Sequence, residues 1–178
     1  MKPEKEIYSH ETLEFTTVAV SFCQTVEQAS AQDVAAFVDR MLKLVPLLYL
    51  KAQLLPRADA DTDELPGGQV TQADYDYVLT GIHMLLGEYN EYMEVADATD
   101  LCTEETRWCS LAEQLADVYQ PVRNFLAVYQ DATEEQMAAA LVQLCEDFRD
   151  YWGQQLLDAL RQLHRIQLKL RQEGNTYE

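Results

Sequence analysis

"MLKLVPLLYLKAQLLP", residues 41–56, is the most apolar stretch of the chain, with Pro46 near its middle and Lys43 and Lys51 flanking its longest apolar run. Its reading decides between a membrane span and the interior of a bundle. A span needs about 20 predominantly apolar residues, and the unbroken run over 44–50 falls far short of that. At 3.6 residues per turn, Leu44, Val45, Leu47, Leu48, Leu50, Leu54 and Leu55 occupy almost the whole circumference. That predicts a central helix contacted on several sides, kinked near Pro46. Lys43 and Lys51 share a face and read as solubilising edge residues or as ligands for an anion.

Around this stretch the chain reads as one all-α domain over 1–178, an up-and-down bundle of about five long helices. The first runs over about 9–29, with Phe15, Val18, Phe22 and Val26 in steps of three and four, and the second opens at Ser30 and runs to about 55. The third is capped by Thr71 and carries Tyr75, Leu79, Ile82, Leu86, Tyr89 and Met93. The fourth is capped by Thr103 and carries Trp108, Leu111, Leu115, Val118, Val122, Phe125 and Tyr129, with a kink expected near Pro121. The fifth opens on a Thr133/Gln136 capping box and continues through Leu144, Phe148, Trp152, Leu156 and Leu163, with a bend expected near Gly153. No segment alternates with period two, so no strand is expected. Residues 56–69 read as an acidic Pro/Gly surface loop and 171–178 as a frayed tail.

Charge narrows the partners. With 31 acidic and 13 basic residues the formal charge is -18, a field that repels phosphate backbones and anionic lipid. Neither nucleic acid nor a membrane is expected; a protein partner with a basic surface, or a second copy, fits better. Cys23, Cys102, Cys109 and Cys145 form no C-x-x-C pair and do not cluster with His, so no zinc site or redox dithiol is expected. The start "MKPEKEIYSHETLEF" has no apolar targeting core, which points to the reducing cytoplasm.

Candidate chemistry is sparse. "DADTDEL" over 59–65 imitates the start of a calcium loop, but Glu64 stands where the turn needs glycine and Val70 where a bidentate Glu should close the cage. Glu88 and Glu91 form an E-x-x-E pair, and Glu113 and Asp117 lie one turn apart on the next predicted helix. Such facing carboxylates hold divalent metal in helical bundles, including nucleotide pyrophosphatases. The helical wheel turns Glu91 and Glu113 towards solvent, so no cofactor is assigned. A second face of the third helix, Tyr77, Thr80, Gly81, Met84 and Gly87, contains two interior glycines that imply a close approach by another helix, of this chain or of a partner.

Taken in order, "LVPLLYLKAQLLP", "LLGEYNEYMEV", "LADVYQPVRNFLAVYQ" and "DYWGQQLLDALRQLH" resemble a family of bacterial proteins catalogued as a domain of unknown function, number 5063, from about residue 13 to 164. The resemblance implies an all-helical bacterial cytoplasmic protein and carries over no catalytic or binding residue. The expected function is a non-catalytic intracellular interaction or scaffold protein. The alternative is a metal- or small-molecule-binding bundle, including a divalent-metal-dependent nucleotide hydrolase that would need Lys51, Arg107 or Arg123 beside the acids.

Overall fold

The computed structural model describes residues 4–56, 67–95 and 106–175. Most of the expected loop over 56–69, the calcium-like stretch, Cys102 and the expected cap Thr103 lie outside the described residues. The chain is mostly helical, as expected, with one short sheet. A four-residue helix α1 (Glu4–Ile7) leads into α2 (His10–Glu27), whose first turn is capped by Ser9 accepting from the Thr12 amide at 3.2 Å. Helix α3 (Val34–Gln53) starts later than expected. Ser30 belongs to a short 3-10 turn (Ala29–Ala31), and the cap is Asp33, one of whose oxygens accepts from the amides of Ala35 and Ala36 at 3.0 and 3.2 Å. One carboxylate oxygen thereby satisfies two of the amides that a helix start leaves open.

The opening stretch is only half interior. Phe37, Val38, Met41, Val45, Leu48 and Ala52 are buried, whereas Leu47, Leu50 and Leu54 are 40, 52 and 50% exposed. The expectation of a helix covered on several sides is therefore corrected. Leucine density over the whole circumference states what a helix could bury, while its packing partners, α2 and α7, cover one side of it. The central helix is α5 (Leu111–Asp131), which packs against α2, α4, α6 and α7 and buries residues on every turn from Leu111 to Val128. Pro46 and Pro121 lie inside α3 and α5 without interrupting either helix.

Helix α4 (Gln72–Leu86) opens on a Thr71/Asp74 capping box but ends well before Met93. Gly87 has a φ of 52°, and its amide donates to the His83 carbonyl, a left-handed stop that glycine adopts without a Cβ penalty. After a 3-10 turn (Gly87–Tyr89) the chain extends as β1 (Glu91–Val95), which pairs antiparallel with β2 (Thr106–Ser110), Met93 opposite Trp108. The expectation that no strand forms is overturned here. With 106–110 taken by β2, α5 starts at Leu111 under a Ser110 cap that accepts from the Glu113 amide at 3.2 Å.

Helix α6 (Glu134–Asp147), capped by the expected Thr133/Gln136 box, passes through a π turn (Phe148–Trp152) into α7 (Gly153–Asn175). The apolar stripe explains the turn. Leu144, Phe148, Trp152 and Leu156 follow in three steps of four, and each such step drifts about 40° in an α-helix. The wider π turn absorbs the drift and keeps all four buried. Gly153 belongs to the same solution, because a Cβ there would lie 2.5 Å from the Phe148 carbonyl oxygen and 3.0 Å from its ring. At Gly153, where a bend is expected, the chain passes from the π turn directly into α7. Helix α7 then packs along α5 and α3, and at its far end Glu173 accepts from the Tyr89 hydroxyl at 2.6 Å.

Two substitutions test this packing. In urea unfolding, Leu48→Ala should cost about 2–5 kcal/mol while Leu47→Ala, one residue away, costs less than about 1 kcal/mol. Gly153→Ala should destabilise by about 1–3 kcal/mol, against the usual helix preference for alanine, because its methyl group has nowhere to go.

Candidate functional site

The expected acid quartet comes from three kinds of structure. Glu88 lies in the 3-10 turn and Glu91 opens β1, so the E-x-x-E pair is not on a helix; Glu113 sits in the first turn of α5 and Asp117 one turn later. Glu88, Glu91 and Glu113 are exposed. Among the described residues no three His, Cys, Asp or Glu side chains converge closely enough to hold a metal ion. Two of the three cations that a hydrolase would need are engaged elsewhere, Lys51 with Glu14 of α2 at 2.6 Å and Arg123 3.5 Å from Glu27, and Arg107 is an exposed residue of β2. Lys51 in turn holds the Glu14 carboxyl below its ordinary range, chiefly through that hydrogen bond.

Asp117 has its own role. One of its oxygens accepts from the Tyr75 hydroxyl of α4 at 2.7 Å, and the other accepts from the Tyr151 hydroxyl of the π turn. Burial first, and the bond to Asp117 second, push Tyr151 up to about 12 and raise Tyr75 as well. The carboxylate thus joins three elements on one side of the bundle. On the other side, Glu27 of α2 accepts from the Tyr119 hydroxyl of α5 at 2.9 Å beside Arg123. Next to this group opens a cleft of about 510 Å³, lined also by Gln69, Asp74 and Tyr77.

The second expected face, on α4, separates into unlike parts. Tyr77, Thr80 and Met84 are exposed along one side of the helix. Gly81 faces the 3-10 turn, where a Cβ would meet the Ser30 amide nitrogen at 3.9 Å, an ordinary contact within the chain. Gly87 is the helix stop, with nothing within 4 Å of a Cβ. The two glycines thus answer to different needs.

The hairpin carries the feature that helical reading missed. Its side chains alternate in the manner of strands: Tyr92 points inward and donates its hydroxyl to Gln114 at 2.8 Å, and Glu94 points inward to Arg161 of α7. Met93, Val95 and Trp108 point outward, and Trp108 is 70% exposed. The signal was present in "EYMEV", but its inward positions include a glutamate and two of its three outward ones are apolar, unlike an ordinary half-buried strand.

The family described as Domain of unknown function (DUF5063) matches residues 6–169. The crystal structure of protein BF1032 from Bacteroides fragilis, a structural-genomics target, is similar at 34% identity and a TM-score of 0.80, over 91% of this chain and 95% of that one. No curated protein matches the chain.

The tyrosine–carboxylate links predict alkaline sensitivity. Tyr75 and Tyr151 hold their protons more tightly folded than unfolded, so their contribution is complete below the ordinary tyrosine value of about 10 and is lost as pH rises from there through about 12. Urea unfolding from pH 8 upward should show stability falling over that window, less steeply in the Tyr75→Phe/Tyr151→Phe double variant. At pH 7 Tyr75→Phe alone should cost about 1–2 kcal/mol.

Proposed function

Because the chain belongs to the DUF5063 family, whose description states no activity, we propose from its surface that it is a non-catalytic intracellular protein-interaction protein. The observation that carries this reading is Trp108, 70% exposed beside Met93 and Val95 on the outward face of a hairpin. A water-facing tryptophan with apolar neighbours contributes nothing to the core, and aromatic residues of this kind anchor protein interfaces. The overall charge of -18 favours a partner with a basic surface.

A photo-crosslinking amino acid placed at position 108 in living bacteria tests it. Discrete adducts with another protein, lost when Met93→Asp is added, are expected; adducts only with a second copy would assign the face to self-association, and none would overturn the reading. Trp108→Ala should leave the unfolding free energy within about 0.5 kcal/mol of the parent, as for other exposed positions.

The cleft beside Glu27 and Arg123 favours a second reading, a small-molecule- or metal-binding bundle, including a metal-dependent nucleotide hydrolase. It offers one cation and about 510 Å³ of space. Calorimetry with manganese and a nucleoside triphosphate on the parent, Glu27→Gln and Arg123→Ala separates the two. Micromolar binding abolished by either substitution would replace the interaction reading.

A further inference from the structure

Residues 161–171, "RQLHRIQLKLR", contain four basic residues, a histidine and no acid, in a chain whose formal charge is -18. The four basic residues and His164 lie on the exposed side of the C-terminal half of α7, next to the N-terminal half of α3. Between the two helices runs an open groove of about 700 Å³. Leu42, Leu157 and Leu160 give it an apolar floor, while Lys43, Arg161 and Arg165 stand along it with His164. Asp39 is its only acid, and it takes Lys43 at 2.5 Å. Arg161 reaches Glu94 on the inner face of the hairpin. Arg165, Lys169 and Arg171 have no carboxylate partner among the described residues.

We propose that this groove docks an acidic amphipathic segment of a partner protein, with the partner's apolar side chains on the leucine floor and its carboxylates against Arg165 and its neighbours. Charge complementarity selects the occupant. In a chain with so large an excess of acid, cations without internal partners gain most from carboxylates brought by another molecule. The leucine floor asks for apolar side chains, which a phosphate backbone does not offer. An extended polyanion continues past the basic patch onto acidic surface that lies within a Debye length, about 10 Å, of its own charges and repels it, whereas a short segment faces mainly the local cations. This surface differs from the outward face of the hairpin and takes a partner of the opposite charge, so the two proposals stand or fall separately.

The test uses the full chain and fluorescent 16-residue probes, a helical peptide with leucine on one face and glutamate on the other, its glutamine counterpart, and a single-stranded oligonucleotide. Anisotropy should show saturable binding of the glutamate peptide, at least tenfold weaker for the glutamine peptide. It should also be at least tenfold weaker for Arg165→Glu and for Leu157→Asp, both exposed positions whose helical circular dichroism should match the parent. Trp108→Ala should bind as the parent does. No saturable binding of the glutamate peptide, or equal binding by Arg165→Glu, would overturn the proposal. So would oligonucleotide binding as tight as that of the peptide, which would make the groove a general anion site. A dimer in solution that Arg165→Glu dissociates would also overturn it, by giving the groove to a second copy.

Discussion

Asn90 is the residue on which the arrangement of the bundle turns. It is 1% exposed, and each of its polar groups is used. Its amide donates to the Gly87 carbonyl at 3.1 Å and its carbonyl accepts from the Leu111 amide at 3.0 Å. The side-chain oxygen accepts from the Ala112 amide at 2.9 Å, while the side-chain nitrogen donates to Ser110 Oγ at 3.1 Å and to His83 Nδ1 at 3.0 Å. A buried helix start has amides that water cannot reach, and they need partners from elsewhere in the chain. For α5 those partners come from Asn90 and Ser110. One asparagine therefore ties the end of α4, where Gly87 stops the helix, to the point where the hairpin leaves and where α5 begins, and every contact made along α5 inherits its position.

An acidic chain has few cations with which to tie its carboxylates, and here tyrosine does much of that work. Asp117 is held by Tyr75 and Tyr151, Glu27 by Tyr119, Glu173 by Tyr89, and Glu134 by Tyr8 at 3.3 Å. Each of these links joins different elements. A hydroxyl donating to a carboxylate is a charge-assisted bond that adds no charge, and the ring brings apolar area to the helix seam. This arrangement also leaves several of the scarce lysines and arginines unspent, and they collect on α7.

Much of the helical framework was legible because caps and stripes are local. Ser9, Thr71 and the Thr133/Gln136 pair act as their side-chain chemistry dictates, and Leu141, Leu144, Phe148, Trp152, Leu156 and Leu163 of the last stripe are buried, with Leu160 half-buried. The hairpin was not legible, because Tyr89 and Met93 continue the helical spacing of α4 while Gly87, a single residue, ends it. The exposure of Leu47, Leu50 and Leu54 was hidden for another reason: which side of a leucine-rich helix is covered depends on partners distant in the chain. Of the candidate acids, Asp117 acquires a definite environment through Tyr75 and Tyr151, 42 and 34 residues away, and no spacing rule relates those positions.

The π turn also sets the aim of everything beyond it. A π turn holds about one residue more than an α turn, so at about 100° per residue relaxing Phe148–Trp152 into α-helix at unchanged length would swing α7 by about a quarter of a circle. Trp152 would leave its hydrogen bond to the Leu144 carbonyl, and the basic stretch over 161–171 would no longer flank α3. Deleting one residue together with that relaxation would return α7 close to its present aim, because the two rotations cancel. A relative one residue shorter here should accordingly run α6 and α7 as one unbroken α-helix with the same faces buried.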